Sequence, residues 1–174
     1  MKIGLLSDTH GYLDKNIFKY FEDCDEIWHA GDIGSIDISD QLKGFKKFRA
    51  VYGNIDGNIL RYSYPEELVF EIEGLKVFIK HIGGYPPKYN PDLQKRLDIL
   101  NPNLFICGHS HIVKIIKDPE RNLLHINPGA CGKHGFHHVR SIIRFDISKG
   151  KIENLQLIEL GKRAKKIPVN GISF

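Results

Sequence analysis

The sequence predicts a single α/β domain over residues 1–174, built on one or two mixed β-sheets. In the first half of the chain, short apolar runs alternate with stretches that have helical periodicity. In the second half, strand-like runs follow one another, and neither a linker nor a change of composition separates the halves. Alternating strands and helices favour parallel pairing, whereas consecutive strands add antiparallel pairs, so a mixed arrangement is expected.

The periodicity of the apolar residues places the elements in chain order. Strands are predicted at 2–7, 26–29 and 48–52, with helices at 13–21 and 36–45 between them. A hairpin at 67–73 and 75–80, a loop at 83–89 and a helix at 92–100 come next. The remaining strands are predicted at 104–107, 113–117, 123–126, 139–147 and 152–160, and a basic tail at 161–174 follows them.

Composition argues against several function classes. The net charge of +4 is matched by four basic residues of the tail, namely Lys162, Arg163, Lys165 and Lys166. The rest of the chain is therefore neutral overall, and nucleic acid is expected at most as a substrate. No run approaches the roughly 20 apolar residues of a membrane span, so no membrane partner is expected. Three cysteines without a Cys-x-x-Cys pair favour a reducing cytoplasm, with Cys107 and Cys131 as buried apolar groups.

The tail also carries four apolar residues after its basic cluster, namely Ile167, Val169, Ile172 and Phe174. We expect this end to dock on the body of the protein or on a partner. A homo-oligomer is one possible outcome, and the sequence leaves the oligomeric state open.

Two histidines follow the apolar run at 104–107, in the segment Gly108-His109-Ser110-His111. In an extended segment, side chains two residues apart point to the same side, so both imidazoles can face one point. Imidazole is the commonest metal ligand among side chains. A His-x-His segment alone is weak evidence, since two surface histidines in a loop would look the same.

Four other strand-like runs end in the same kind of chemistry. The candidate ligands from all five ends are Asp8, His10, Asp32, Asn54, His81, His109 and His111. In open α/β sheets, sites lie beyond the carboxyl ends of the strands, so these side chains are expected to meet. Carboxylate, amide and imidazole ligands without a thiolate favour Mn²⁺, Fe, Ni²⁺ or catalytic Zn²⁺ over a structural zinc. Two such ions about 3.5–4 Å apart can clamp a phosphoryl displacement.

The ordered blocks Asp8-x-His10, Gly31-Asp32, Gly53-Asn54, His81 and Gly108-His109-x-His111 resemble the calcineurin-like metallophosphoesterases. The spacing is most similar to the compact bacterial and archaeal phosphodiesterase branch. The resemblance implies a four-layer αββα sandwich with two mixed sheets. It also implies a metal-dependent phosphoesterase that acts by in-line attack of a metal-activated hydroxide, and a small phosphodiester or nucleotide-type substrate is expected.

Carried over to this sequence, the resemblance assigns Asp8, His10 and His111 to one divalent ion. It assigns Asn54, His81 and His109 to a second ion, with Asp32 bridging the two. Manganese is the expected metal, with nickel, iron and zinc as alternatives, and Asn54 and His109 are also expected to contact substrate. The segment Asn127-Pro128-Gly129 resembles the downstream loop that lies beside the family's site.

Two departures from the family pattern concern the substrate. Many members carry a histidine after the Gly-Asn pair that assists the leaving group, and here Ile55 takes that place. A general acid is worth roughly 10²–10⁴-fold, so its loss favours diesters or activated leaving groups. The fourth block, commonly His-Gly-His, lacks its second histidine, and the loop at 85–89 is expected to shape the entrance instead.

Simpler interpretations exist for most of these residues taken singly. Asp8 and Asp32 could be turn or N-cap residues, and Asn54 could be a turn residue. His29 is expected either to support a neighbouring ligand or to lie in the core, without binding metal itself, and His125 is expected to be structural. His134, His137 and His138 are expected to lie in a solvated loop, with one of them as an alternative proton donor. The rival function is a scaffold on the same fold, as in the retromer subunit that resembles this family but has altered metal blocks.

Overall fold

Two five-stranded β-sheets lie face to face at the centre of the fold. The computed structural model describes residues 1–163. The helices are α1 (Asn16–Tyr20), α2 (Ile36–Phe45), α3 (Asn58–Ser63) and α4 (Pro91–Leu100). The strands are β1 (Lys2–Leu6), β2 (Glu26–His29), β3 (Lys47–Ala50), β4 (Glu67–Ile72), β5 (Leu75–Lys80), β6 (Gly84–Tyr85), β7 (Lys88–Tyr89), β8 (Leu104–Ile106), β9 (Val113–Asp118), β10 (Leu123–Pro128), β11 (Val139–Ser148) and β12 (Lys151–Lys162).

Both sheets are mixed, as the sequence predicts. The first sheet has the order β12-β11-β1-β2-β3, and the second has the order β4-β5-β8-β10-β9. Strands β1, β2 and β3 run parallel to one another, and so do β5, β8 and β10. The remaining neighbouring pairs are antiparallel, namely β1 with β11, β11 with β12, β4 with β5 and β9 with β10. Each sheet therefore has neighbouring parallel strands whose carboxyl ends lie at one edge, where a site is expected.

The layers follow from three apolar clusters. The first fills the space between the sheets and includes Trp28, whose ring packs against those of Phe70 and Phe145 at centroid distances of 5.1 and 5.7 Å. The second holds α1, α2 and α3 against the first sheet. The third holds α4 against the second sheet through Leu93 and Leu97. Helices on both outer faces of two packed sheets confirm the predicted four-layer αββα sandwich.

The structure differs from the sequence prediction in three short elements. The predicted helix at 13–21 is shortened to α1, and its start lies where the side chain and the carbonyl of Asp14 accept the N–H groups of Asn16 and Ile17. Helix α3 is not predicted, since Leu60 is its one buried residue and it shows no apolar period. The predicted loop at 83–89 contains the small hairpin of β6 and β7.

The last strand also extends beyond its predicted end. Strand β12 continues through Lys162, which pairs with Val139, so the start of the predicted tail belongs to the first sheet. The expected docking of Ile167, Val169, Ile172 and Phe174 lies outside the described residues. Among residues 1–163, no helix is long and apolar enough to cross a membrane.

Candidate metal centre

The loops that follow four of the parallel strands are tied to one another by backbone hydrogen bonds. The N–H of Asp8 donates to the carbonyl of Gly31 at 3.0 Å, which joins the loops after β1 and β2. The N–H of Gly108 donates to the carbonyl of His81 at 3.0 Å, which joins the loops after β8 and β5. The N–H of His109 donates to the Asp8 carboxylate at 3.2 Å and so links the two sheets. The loops therefore form one surface.

The candidate ligands meet on this surface in two groups. In the first, His111 Nε2 lies 3.2 Å from Asp8 Oδ1 and 3.1 Å from His10 Nε2. In the second, Asn54 Oδ1 lies 3.1 Å from His81 Nε2 and 2.9 Å from His109 Nδ1. The ligand atoms of Asp8, His10 and His111 lie within 4.8 Å of one another, and so do those of Asp32, His81 and His109. All seven residues predicted from sequence are thus brought together.

Asp32 faces both groups with the same oxygen. Its Oδ2 atom lies 3.6 Å from His10 Nε2 and 3.2 Å from His81 Nε2. The other oxygen, Oδ1, accepts the N–H of Ile55 at 3.0 Å, which fixes the orientation of the carboxylate. Asp32 is therefore placed between the two groups and held there by the loop that follows β3.

Backbone strain concentrates at the same residues. Five of the seven candidate ligands have a positive φ, namely Asp8, His10, Asp32, His109 and His111, with values from 47° to 67°. A non-glycine residue in this region costs of order 1 kcal/mol or more, and such residues persist only where their surroundings enforce them. The loops therefore hold these side chains in orientations that relaxed turns would not give.

Two glycines allow the loops to approach closely. A side chain at Gly53 would overlap Oδ1 of Asp32, and a side chain at Gly108 would overlap the hydroxyl of Ser7 and the carboxylate of Asp8. Both glycines directly precede a candidate ligand, as the sequence analysis noted. Their role is close approach of the backbone, which brings Asn54 and His109 into the centre.

The two carboxylates are anionic despite their burial. Burial alone would raise the pKa of both Asp8 and Asp32. The neighbouring imidazoles of His10 and His111 hold the pKa of Asp8 well below its usual range, and His81 lowers the pKa of Asp32. In the described chain, the basic groups within 4.0 Å of these carboxylates are all histidines. Buried anions without a fixed cation, surrounded by imidazoles, fit a site for divalent metal.

A backbone carbonyl sets the tautomer of His81. Its Nδ1 lies 2.8 Å from the carbonyl oxygen of Ala30 and must donate, since that oxygen only accepts. In the neutral ring the lone pair is then on Nε2, which faces Asp32 and Asn54. An imidazole oriented in this way is ready to bind a metal ion.

His137 fixes the tautomer of His111, as the carbonyl of Ala30 does for His81. The expectation that His137 lies in a solvated loop is wrong. His137 is buried, and its Nε2 donates to the carbonyl of Gly132 at 3.0 Å. Its Nδ1 therefore accepts from Nδ1 of His111, 3.3 Å away, and leaves Nε2 of His111 free to face Asp8. The neighbouring His134 and His138 are exposed, as expected.

We expect His137→Ala to weaken metal binding to the group of Asp8, His10 and His111 by about 10–100-fold, the usual effect of losing the partner of a ligating histidine. Titration calorimetry with Mn²⁺ on the metal-stripped protein measures this. His138→Ala, which removes an exposed imidazole one residue away, is the matched control. Unchanged affinity in His137→Ala would show that His111 does not need this hydrogen bond.

The structure also identifies residues that sequence reasoning missed. Asp56 is buried and accepts the N–H groups of Ile33, Gly34 and Gly53 at 2.7–3.1 Å, so it ties the Asp32 loop to the Asn54 loop. Asp56 follows two residues after Asn54, and this proximity is the one sequence signal that could have indicated it.

Two further side chains brace the ligand loops. Arg61 donates to the carbonyls of Gly53, Asn54 and Asp56 at 2.6–3.2 Å. On the other side, Asn127 donates to the carbonyl of Gly108 at 2.7 Å, which places the predicted downstream loop beside the His109 segment.

His29 and His125 are buried and belong to neither group of candidate ligands. Nδ1 of His29 accepts the N–H of Gly31 at 3.1 Å, and its Nε2 contacts the hydroxyl of Thr9 at 3.0 Å. Burial lowers the pKa of His29 to about 4 and also lowers that of His125 to about 4. Both rings are therefore neutral near pH 7 and have the structural character expected from sequence.

Two clefts open beside the centre and share Asn54. The larger, of about 380 Å³, is bordered by candidate ligands together with Ile55, His134 and Phe136. The smaller, of about 210 Å³, lies beside His81 and is lined by Tyr52, Arg61, Glu66, Lys80 and Ile82. The centre is thus accessible to a ligand that extends in two directions.

Comparison with known proteins relates this chain to phosphoesterases. Residues 1–150 match the model of the calcineurin-like phosphoesterase superfamily domain. The chain is 34% identical over 137 residues to a probable metallophosphoesterase of Methanocaldococcus jannaschii, covering 75% of this chain and 68% of the relative. It is 30% identical over 148 residues to a phosphodiesterase of the same organism, covering 75% of this chain and 84% of the relative.

Solved structures share the fold. A structure described as a novel archaeal phosphodiesterase superposes with a TM-score of 0.71 at 26% identity, covering 92% of this chain and 100% of the other. Vps29 of Chaetomium thermophilum also reaches a TM-score of 0.71, at 15% identity, covering 93% of this chain and 96% of the other. At that identity the second similarity concerns the fold alone.

Proposed function

Because this chain belongs to the calcineurin-like phosphoesterase superfamily, we propose that it is a metal-dependent phosphodiesterase with a dinuclear centre. The observation that carries the proposal is the meeting of seven candidate ligands in two groups, with Asp32 between them. Asp8, His10 and His111 would hold one ion, and Asn54, His81 and His109 the other, with Asp32 bridging. We propose manganese as the metal. We also propose that the protein is located in the cytoplasm.

The chain's own residues would arrange the reaction. When bound, the two ions would supply Lewis acidity toward the phosphoryl oxygens and a hydroxide nucleophile at neutral pH. The positive φ values of the ligand residues and the hydrogen bonds of His81 and His137 would keep the donor atoms oriented before substrate arrives. Asn54 and His109, which border the larger cleft, would also contact the phosphoryl group. Such preorganisation avoids reorganisation during the reaction.

Two features favour a diester over a monoester. The position after Asn54 carries Ile55, whose side chain cannot donate a proton, so expulsion of a poor leaving group lacks that assistance. In addition, the two clefts that share Asn54 offer space for two substituents of one phosphate. A small phosphodiester or nucleotide-type substrate fits both features.

The test is hydrolysis of bis(p-nitrophenyl) phosphate and p-nitrophenyl phosphate by metal-stripped protein, with Mn²⁺, Ni²⁺, Zn²⁺ and Mg²⁺ added back separately. These substrates share their leaving group and differ in the second ester. We expect metal to restore turnover, with kcat/KM at least about tenfold higher for the diester, the factor that 1.4 kcal/mol represents. A preference for the monoester would contradict the diesterase assignment.

A non-catalytic scaffold remains the second candidate, because Vps29 proteins share this fold. The full set of seven candidate ligands argues for the enzyme, since a scaffold does not require it. Absence of turnover in this assay, together with absence of metal binding when the wild-type protein is titrated with Mn²⁺, would favour the scaffold.

A further inference from the structure

Four exposed apolar side chains either directly follow a candidate ligand in the chain or line the larger cleft. We call Ile55, Ile82, Ile112 and Phe136 the apolar rim; their exposed fractions are 46%, 41%, 58% and 99%. Each isoleucine directly follows a candidate ligand, on three different loops. Burial of a large apolar side chain is favourable, so the members of the rim that line a cleft, Ile55 and Phe136, can bind an apolar part of a ligand.

The larger cleft is where the rim and the centre meet. Ile55 and Phe136 line it together with His10, Asp32 and His111. Its volume of about 380 Å³ lies within the range of ligand pockets in general, about 300–1,000 Å³. Among the described residues that line it there is no lysine or arginine. Apart from the candidate ligands, a ligand in this cleft therefore meets Ile55, Ser110, His134, Gly135 and Phe136 and no fixed cation.

We propose that the apolar rim binds an aromatic ring carried by one ester group of the substrate, with Phe136 stacking on the ring and Ile55 packing against it. This inference rests on the proposed function, in that the ligand is a phosphodiester. An aromatic group matches the volume of the cleft and the side chains that line it.

A binding measurement tests the role of the rim separately from catalysis. Diphenyl phosphate and dimethyl phosphate carry the same charge on the same phosphoryl group and differ in their ester groups. With the full chain and saturating Mn²⁺, calorimetry should give at least about tenfold tighter binding of diphenyl phosphate, the factor that 1.4 kcal/mol represents. Phe136→Ser and Ile55→Ser should each reduce this ratio by at least about threefold. Ile99→Ser, which changes an exposed isoleucine on α4, should leave it unchanged.

The results of these binding and hydrolysis measurements distinguish the role of the rim from the proposed function. Equal affinity for the two anions, or a ratio that survives in both rim variants, would overturn the proposal. A concentration-dependent dimer that Phe136→Ser converts to a monomer would also overturn it, since the rim would then be an interface between copies. Hydrolysis of bis(p-nitrophenyl) phosphate without any preference in binding would reject the rim alone. A preference in binding without hydrolysis by any metal form would reject the proposed function alone.

Discussion

Replacing Asp32 with alanine is expected to abolish metal-dependent hydrolysis while the protein stays folded. Asp32 lies between the two ligand groups, with Oδ2 3.6 Å from His10 Nε2 and 3.2 Å from His81 Nε2. Its removal would weaken the binding of both ions at once. Metal ions contribute several kcal/mol of transition-state stabilisation, so kcat/KM should fall by at least about 10³-fold. The measurement is hydrolysis of bis(p-nitrophenyl) phosphate at saturating Mn²⁺.

The variant should remain folded because the loss is local. The carboxylate accepts one backbone N–H, that of Ile55, whose loss costs about 1–3 kcal/mol. Removal of Asp32 also relieves the repulsion between two buried anions, since the charge of Asp8 raises the pKa of Asp32. Circular dichroism and thermal unfolding check the fold. Asp40→Ala, at an exposed acid on α2, is the matched control. Full activity in Asp32→Ala would rule out the bridging role.

The sheets and the ligand positions could be predicted because the relevant signals are local. Each candidate ligand lies within five residues of the end of an apolar run, and such runs are visible without tertiary information. The parallel strands then bring their carboxyl ends to one edge. For residues that closely follow a strand, such as Asp8, Asp32 and His81, the sequence alone therefore indicates their place in the fold.

The supporting contacts could not be predicted, because they join segments far apart in the chain. Asp56 binds N–H groups more than twenty residues away, and His137 contacts a ligand 26 residues away. Neither residue belongs to a periodic pattern. Helix α3 has a single buried residue, Leu60, so its apolar period is too short to detect. What the sequence lacks is information on which loop packs against which.

Separate removal of His109 and His111 should show whether the two groups hold two ions. We expect wild-type protein to bind two Mn²⁺ per chain and each alanine variant to bind one, at an ion concentration that saturates the wild type. His111 belongs to the group with Asp8 and His10, whereas His109 lies beside Asn54 and Asp32. Because each variant keeps one group intact, the loss should be a whole ion in each case. Equilibrium dialysis followed by elemental analysis measures the stoichiometry.

A double variant tests strictly whether the two groups are separate ion sites. If the groups are separate sites, His109→Ala combined with His111→Ala should bind no ion under the same conditions, because both groups then lack a ligand. His138→Ala removes an exposed imidazole that belongs to neither group, and this variant should still bind two ions. Two ions in both single variants would refute the division, since neither histidine would then be needed. A single ion in wild-type protein would instead show that Asp32 belongs to one mononuclear site.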